Sequence, residues 1–382
     1  MHDLVIIGAG PVGGTLALAL AGHDLELAVI DARTASRQQR ADRSLALSHG
    51  SRLILERLSV WEALAARPHA ITPITAIDIS QARGFGATRL LASEQQVPAL
   101  GYVVSYAALQ DAIDAALVQA GIHVHYDTAA SGVHGSPWHA CVDITEAPPL
   151  TARLAAVADG SGAAVDGITR VRHDYGAVAL VASVWIDGLE PGVAYERFTS
   201  EGPVALLPEG DHYGLVWTMR PDQCEALLAL NEGAFLDALT RHFGTRVTGF
   251  VRVAARRSFP LVLERAEPIV AARSVVLGNA AQQLHPVAGQ GFNLGLRDAW
   301  ELAQVVLDAR PDAIGTPAML ARYARRRSND RRAAIAFTHG LVRVFGNDFA
   351  LLRWPRGLSL AALDMTPPIK RAFVRSMLYG LH

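Results

Sequence analysis

Three glycines near the start of the chain have the spacing of a dinucleotide-binding turn. Gly8, Gly10 and Gly13 form the pattern GxGxxG, which follows an apolar run at residues 4–7 and precedes a helical run at 15–21. Gly8 permits the tight turn, and Gly10 lets the backbone approach a pyrophosphate. Gly13 lets the helix pack closely on the strand, and the start of the helix favours the anion.

An acidic residue and a second apolar run complete this pattern. The run at residues 26–30 ends in Asp31, about 20 residues past the glycines, where a carboxylate can accept a hydrogen bond from a ribose hydroxyl. Pro11 lies inside the turn. The sequence therefore predicts a dinucleotide site, and the pattern alone does not separate FAD from NAD.

A second stretch, LGNAAQQLHPVAGQGFNLGLRD at residues 277–298, combines glycines, amides and one histidine. Between Gly278 and Leu296 it contains no formally charged side chain, whereas solvent loops usually carry charges. A buried strand is predicted before it and a helix at residues 294–307 after it. Free backbone N–H groups at the start of that helix suit the electron-rich edge of a ligand. We interpret the stretch as an uncharged wall of a ligand site.

His285 is the titratable group of this uncharged wall. In one interpretation its ring hydrogen-bonds the loop backbone and, with Pro286, shapes a turn. In the other, the imidazole takes part in proton transfer. We favour the first interpretation, and the second stays open.

The elements that must position these residues form an interrupted α/β pattern. Two helices and two strands are predicted at residues 51–67, 107–120, 122–126 and 154–158. Between residues 175 and 220, β-rich runs split by Gly and Pro indicate an antiparallel sheet, and the chain is mostly helical from residue 296 onward. The predicted fold is α/β, with a Rossmann-type nucleotide domain, an inserted and mostly antiparallel sheet, and a helical C-terminal tail.

The composition of the chain argues against several classes of protein. The 382 residues are 51% hydrophobic and 19% charged, which indicates globular structure rather than disorder. The net charge of −1 argues against nucleic acid as the main partner. Cys141 and Cys224 have no metal-type spacing, so we predict no metal site and a reducing compartment. The apolar N-terminus lacks a basic segment and is interrupted by glycines, which predicts a cytoplasmic location.

The C-terminal tail contains a basic run, RYARRRSNDRR, at residues 322–332. Such a run is usually a solvated helix face, which is the interpretation that we favour. The alternative is a surface for anionic lipid or a partner protein, with Trp354, Phe373 and Leu378 as apolar contacts.

Segments along nearly the whole chain resemble the FAD-dependent aromatic hydroxylases of the para-hydroxybenzoate hydroxylase type. These segments are GAGPVG (8–13), RSLALSHGSRLILERLSVW (43–61), ADG (158–160), GPVALLP (202–208), FPL (259–261) and GNAAQQLHPVAGQGFNLGLRD (278–298). The last one is the most specific, because many flavin hydroxylases have an acidic Gly-Asp where this chain has Gly-Asn. Gly-Asn with Gln-x-x-His-Pro is similar to the ubiquinone-biosynthesis branch, of the 2-polyprenyl-6-methoxyphenol hydroxylase type.

The resemblance implies an FAD site. Gly8, Gly10, Gly13 and Asp31 would hold the ADP half, and Arg43 would approach the cofactor from the segment after the second strand. Asp159 belongs to a motif linked to both FAD and the pyridine nucleotide. Asn279 would bond the ribityl–pyrophosphate region, and its amide in place of a carboxylate predicts easier electron uptake by the flavin. The residues implied to line the flavin ring are Pro286, Gly289, Gly291, Phe292 and Asn293. Gln290 is also a candidate for cofactor binding, and His285 and Pro286 are the candidate catalytic residues.

Three positions depart from the family pattern. Ala163 and Asp166 stand where the family usually has Ser and Arg, and Ala107 stands where an Arg often meets the cofactor phosphates. FAD binding stays implied in spite of these departures. They affect the contacts that the resemblance implies with NAD(P)H and the affinity that it implies for the cofactor.

The implied function is hydroxylation of a polyprenyl phenol in ubiquinone biosynthesis, with NAD(P)H and O2, through a flavin C4a-hydroperoxide. An uncharged wall would exclude water and donate to the flavin edge. In the second interpretation of His285, its imidazole would assist deprotonation of the phenol or proton exchange with solvent. The lipophilic substrate suggests a peripheral position at the inner face of the membrane or membership of a quinone-biosynthesis complex. The alternatives are an FAD hydroxylase of another aromatic compound, such as a soluble acid, and a catalytically weak FAD-binding subunit.

The predicted domain limits follow from the interrupted α/β pattern, which indicates a split nucleotide domain. Residues 1–70, 98–168 and 266–310 form a discontinuous FAD-binding domain, residues 71–97 and 169–265 form the substrate domain, and residues 311–382 form a helical C-terminal region.

Overall fold

A computed structural model describes residues 1–34, 43–82, 86–160, 163–199, 202–284, 290–345 and 364–381. The strands of this part are, in chain order, β1 (His2–Ile7), β2 (Leu27–Ile30), β3 (Ser44–Ser48), β4 (Ile71–Ile74), β5 (Ala76–Gln81), β6 (Ala87–Leu91), β7 (Gly101–Ser105), β8 (Val124–His125), β9 (Ala130–Gly135), β10 (Ala140–Ile144), β11 (Ala147–Val157), β12 (Ala164–Val165), β13 (Thr169–Ile186), β14 (Val193–Thr199), β15 (Gly202–Glu209), β16 (His212–Met219), β17 (Phe250–Glu267), β18 (Val270–Ala271), β19 (Ser274–Val276) and β20 (Gln282–Gln283). The helices are α1 (Pro11–Leu20), α2 (His49–Arg57), α3 (Val60–Ala65), α4 (Tyr106–Gln119), α5 (Pro221–Leu228), α6 (Glu232–Phe243), α7 (Gln290–Leu307), α8 (Pro317–Phe345) and α9 (Pro367–Tyr379).

The first sheet contains the N-terminal strand. Its order in the described residues is β12-β9-β10-β11-β1-β2-β8, with β19 beside β11 and β18 beside β19. β1 is parallel to both neighbours, and Leu4 aligns with Leu154 on β11 and with Leu27 on β2. The strand predicted at residues 4–7 is confirmed and is buried, as expected for a parallel strand with both faces covered.

The second sheet confirms the predicted antiparallel layer. Its order is β20-β17-β13-β16-β15-β14-β5-β6, and its pairs are antiparallel except for β14 with β5. Helices α5 and α6 cover one face, where Leu206 and Trp217 pack with Phe235. On the opposite face Ala194 packs with Val103 of β7. This opposite face is therefore turned toward the nucleotide side of the molecule.

A small third sheet joins the two larger ones. Its order is β3-β7-β4, so β4 pairs with β7, a strand that the prediction gave to the FAD-binding domain, although residue 71 was predicted to begin the substrate domain. The domain limits themselves stay a prediction. The single helix predicted at residues 51–67 is wrong, because Ser59 adopts a left-handed conformation (φ 56°) that ends α2 before α3 begins.

The C-terminal helices pack onto both parts of the fold. α8 lies against α7, and α9 lies against the edge of the second sheet, where Val374 and Leu378 pack with Ile79 and Phe198. Leu378 is 3% exposed, so its predicted role as a lipid or partner contact is wrong. Trp354 lies outside the described residues. Within the described ranges, every helix is too short or too polar to cross a bilayer.

Candidate active site

In the glycine turn between β1 and α1, backbone atoms pack closely around Gly8 and Gly13, whereas the side of the turn at Gly10 is open. A Cβ on Gly8, whose φ is +96°, would lie 2.8 Å from the carbonyl oxygen of Ala158, and a Cβ on Gly13 would lie 1.8 Å from the carbonyl oxygen of Gly8. A Cβ on Gly10 would meet nothing within 4 Å. Pro11 is the first residue of α1, where its missing N–H costs no helical hydrogen bond. Gly8 and Gly13 therefore serve packing, and Gly10 faces free space at the start of the helix.

Asp31 at the end of β2 holds this turn in place. Its Oδ2 accepts a hydrogen bond from the Ala9 N–H at 2.6 Å and from Arg33 Nη2 at 3.0 Å, and its Oδ1 accepts from Arg33 Nε at 2.9 Å. Gln110 Nε2 of α4 donates to the Ala9 carbonyl at 2.9 Å. The carboxylate is thus at the predicted place beside the turn, and its contact with a ribose stays a prediction.

The other two predicted residues on the nucleotide side flank strands of two different sheets. Asp159 follows β11, next to Gly8, and its Oδ2 accepts from the Ala163 N–H at 2.8 Å. Arg43 precedes β3, and its guanidinium lies 4.4 Å above the ring of Tyr106 at the start of α4. Arg43 is exposed and available to a ligand on this side.

Close packing brings the uncharged wall to the glycine turn. After β19 the chain forms a short 3-10 turn, Gly278–Ala280, in which the side chain of Asn279 is exposed. A Cβ on Gly278 would lie 3.0 Å from Val12 of α1, and a Cβ on Gly295 of α7 would lie 2.9 Å from the same side chain. Small residues at both positions therefore place Asn279 beside the N-terminal end of α1. Its predicted effect on the flavin stays untested.

The start of α7 lies beside the β3–α2 junction. The described part of the helix begins at Gln290, so the predicted start at Leu294 is wrong. Asn293 Oδ1 accepts from the Ser48 N–H at 2.8 Å and from Ser51 Oγ at 2.7 Å, and its Nδ2 donates to the Ala46 carbonyl at 2.9 Å.

The residues predicted to bind the flavin differ in how deeply they are buried. The amide of Asn293 is buried and ties α7 to the segment after Arg43. Gln290 is buried, whereas Gly291 and Phe292 keep partial exposure. Contacts of these residues with a flavin ring remain predictions. His285, Pro286 and Gly289 lie outside the described residues, so their roles also stay predictions.

A buried ion cluster, formed by Arg297, Asp298, Arg327 and Asp330, lies behind this wall. Arg327 Nε donates to Asp298 Oδ1 at 2.7 Å, Arg327 Nη2 lies 2.8 Å from Asp330 Oδ2, and Arg297 Nε donates to Asp330 Oδ2 at 2.8 Å. The Arg327 side chain is 1% exposed. The basic run of α8 is therefore not a uniformly solvated face, because its arginine at position 327 neutralises carboxylates of α7 and α8.

Glu196 on β14 is a candidate functional residue that the sequence analysis missed. Its strand neighbours Ala194 and Phe198, which share its face, pack toward β7 and α9. Across the sheet Glu196 aligns with Ile79 and Ala205, neither of which is charged. Burial raises the pKa of Glu196 to about 7, although the side chain keeps some solvent exposure. This combination is expected for a carboxyl group that lines a cleft rather than the closed core.

Comparison with known protein families identifies the family of this chain. The family model described as "FAD binding domain" matches residues 1–338. The chain belongs to this family. FAD is thus the cofactor, and the protein is an FAD-dependent monooxygenase with the NAD(P)H co-substrate that is typical of the family.

Relatives and solved structures extend this result. The chain is 34% identical to ubiquinone hydroxylase UbiL of Rhodospirillum rubrum, over 98% of this chain and 88% of the relative. It is 30% identical to 3-demethoxyubiquinol 3-hydroxylase of Escherichia coli, over 97% and 96% of the two chains. p-Nitrophenol 4-monooxygenase PnpA from Pseudomonas putida has the same fold, with a TM-score of 0.76 at 16% identity over 100% and 99% of the chains. A variant of HpxO of Klebsiella pneumoniae, solved in complex with FAD, has a TM-score of 0.75 at 18% identity over 100% and 99% of the chains.

Proposed function

We propose that this enzyme hydroxylates the ring of a lipophilic phenol that is a precursor of ubiquinone. The names of the relatives in Rhodospirillum rubrum and Escherichia coli support a quinone-precursor substrate and O2. The observation that supports this substrate over a soluble aromatic acid is the buried carboxyl group of Glu196. A desolvated carboxyl group on the face turned toward the cofactor side would repel a carboxylate substrate, whereas a neutral phenol can donate a hydrogen bond to it.

Different residues of the chain would bind different parts of FAD. The open side at Gly10 would leave room for the pyrophosphate, Asp31 would bind the ribose, and Asn279 would bind the middle of the cofactor; the free space at Gly10, the position of Asp31 beside the turn and the exposure of Asn279 support these roles. Backbone N–H groups at the start of α7, near Gly291, would face the flavin edge. When bound, FAD supplies the hydride acceptance and the activation of O2 that side chains cannot provide.

Glu196 would act on the phenol itself. A carboxylate with a pKa of about 7 is a stronger base than an ordinary glutamate, and it accepts the proton of the phenol hydroxyl more readily. Loss of this proton raises the electron density of the ring, which favours attack on an electrophilic oxygen. Since the base must be ionised, hydroxylation is expected to rise with pH through about 7.

The experiment compares Glu196→Gln with the unaltered FAD-loaded enzyme and with Glu225→Gln, an exposed glutamate of α5, as the matched control. We expect Glu196→Gln to lower the rate of phenol hydroxylation by about 100-fold and to lose the rise near pH 7. FAD content and NAD(P)H-dependent flavin reduction should be retained.

Other outcomes separate the alternatives. Full hydroxylation by Glu196→Gln with an unchanged pH profile contradicts the role of this residue as a base. Faster turnover of an aromatic acid than of a neutral phenol assigns the enzyme to soluble acids. Failure of NAD(P)H to reduce the flavin, with and without a phenol, identifies a weak FAD-binding subunit instead. Co-purification with other quinone-biosynthesis proteins would test the proposed complex.

A further inference from the structure

A cavity that is lined by other residues than the candidate active site lies between the long strands and α8. It has a volume of about 830 Å³ and lies between the start of β13, the end of β17 and the middle of α8. Apolar side chains, among them Leu263, Ile269 and Ile335, form part of its wall. Its lining includes none of the described residues that were predicted to hold FAD, so it is separate from the candidate active site.

The polar part of this cavity is strongly basic. Four arginines line it, at positions 172, 265, 331 and 332, together with His173 and His339, and Glu267 is the one carboxylate in the described lining. Arg265 is paired with that carboxylate at 3.1 Å. Among the residues that the structure describes, Arg172, Arg331 and Arg332 have no carboxylate within ion-pair distance. Three guanidinium groups therefore contribute unneutralised positive charge to one cavity.

Arg331 makes the lack of a counter-ion most evident. The side chain is partly buried, and its Nε donates to the neutral amide oxygen of Gln282 at 2.7 Å. Burial lowers the pKa of Arg331, and the charge of Arg327 adds to this effect, although Asp298 opposes it. Buried charges in proteins are normally paired, because an unpaired one loses its hydration without compensation. An anion in the cavity would supply the missing charge.

We propose that this cavity binds the phosphate group of an anionic amphiphile. The guanidinium groups of Arg172, Arg331 and Arg332 would hold the phosphate, since planar guanidinium groups match phosphate oxygens in geometry and charge. The hydrocarbon part would lie against the apolar wall. The phosphate could come from a lipid headgroup or from a free phosphate compound, and the chemistry of recognition is the same. This site does not depend on the substrate proposed above.

The test uses the full-length, FAD-loaded protein and titration calorimetry at low ionic strength. The probes are monomeric dihexanoyl phosphatidylglycerol, dihexanoyl phosphatidylcholine and inorganic phosphate. We expect phosphatidylglycerol to bind and the zwitterionic lipid to bind more weakly. The double variant Arg172→Gln/Arg332→Gln should lose affinity for phosphatidylglycerol by about tenfold or more, because charge-assisted hydrogen bonds are lost. Arg331→Gln should have the same effect, provided that circular dichroism shows this variant to be folded like the unaltered protein.

Arg325→Gln is the matched control, because Arg325 is exposed on α8 and does not line the cavity. Its affinity for phosphatidylglycerol should be unchanged. Binding of inorganic phosphate as tight as that of the lipid, and lost in the same double variant, would assign the site to free phosphate compounds. An equal loss in Arg325→Gln would overturn the proposal, because it would indicate diffuse surface charge. Absence of binding by every probe would overturn it as well.

Discussion

The glycine turn and the buried ion cluster stabilise neighbouring parts of the nucleotide side by different means. In the turn, Gly8 and Gly13 lie within six residues of sequence and permit backbone contacts that no larger residue allows. In the ion cluster, Asp298 and Arg327 meet from two helices across 29 positions, and both side chains are 1% exposed. The first arrangement depends on the absence of side chains and the second on the pairing of charged ones. A local motif is therefore visible in the sequence, whereas a distant pairing resembles an ordinary basic run.

The largest effect is expected from breaking the ion cluster. Arg327→Met leaves Asp298 and Asp330 buried without their common partner, so we expect the free energy of unfolding to fall by about 3–5 kcal/mol. Urea denaturation measures this change. Arg325→Met on the exposed side of α8 is the control and should change stability by no more than about 0.5 kcal/mol. Equal stability of the two variants would show that burial of the cluster contributes nothing.

A smaller effect on stability is expected in the glycine turn, where substitutions at Gly13 and at Gly10 should have different consequences. Gly13→Ala places a Cβ 1.8 Å from the Gly8 carbonyl oxygen and should cost about 1–3 kcal/mol of stability. Gly10→Ala places its Cβ in free space and should leave stability within about 0.5 kcal/mol while weakening FAD binding. Denaturation and FAD titration of both variants test this. Unimpaired FAD binding by Gly10→Ala would show that the open side does not receive the cofactor.

The smallest effect is expected at an exposed ionic contact. Its comparison with the buried ion cluster tests how strongly burial determines what an ionic contact contributes to stability. His134 lies 2.8 Å from Asp166 and 2.8 Å from Asp143, and these hydrogen bonds raise its pKa above the ordinary value of 6.5. A raised pKa in the folded state means that the contact stabilises fully below pH 6.5 and is lost as pH rises through the raised pKa.

Hydrogen exchange of the β9 and β12 amides should therefore quicken with pH beyond its intrinsic dependence. His134→Gln should remove that extra dependence, and His123→Gln, an exposed histidine before β8, should keep it. If the unaltered protein and His134→Gln exchange alike at every pH, the contact has no effect on local opening.

Local pattern predicted the parts of the fold whose causes lie close together in sequence. β1, the glycine turn and α1 were predicted because a strand, small residues and a helix follow one another directly. The antiparallel character of the second sheet was predicted from its β-rich runs. The break at Ser59 was missed, since a left-handed serine gives no distinct sequence signal. The start of α7 was placed too late, because glycine and asparagine are weak helix formers and packing decides there.

By itself, the sequence determined the α/β class, the dinucleotide turn and membership of a flavin-dependent family, because contiguous motifs carry these properties. Tertiary structure decided what the charged residues do. It buried Arg327 in an ion cluster, left Arg331 beside a cavity with an amide as partner, and placed Glu196 on the face turned toward the cofactor side. The physical reason is that the ionisation and role of a charged group depend on its solvation and its neighbours in space, which residues far apart in the chain supply.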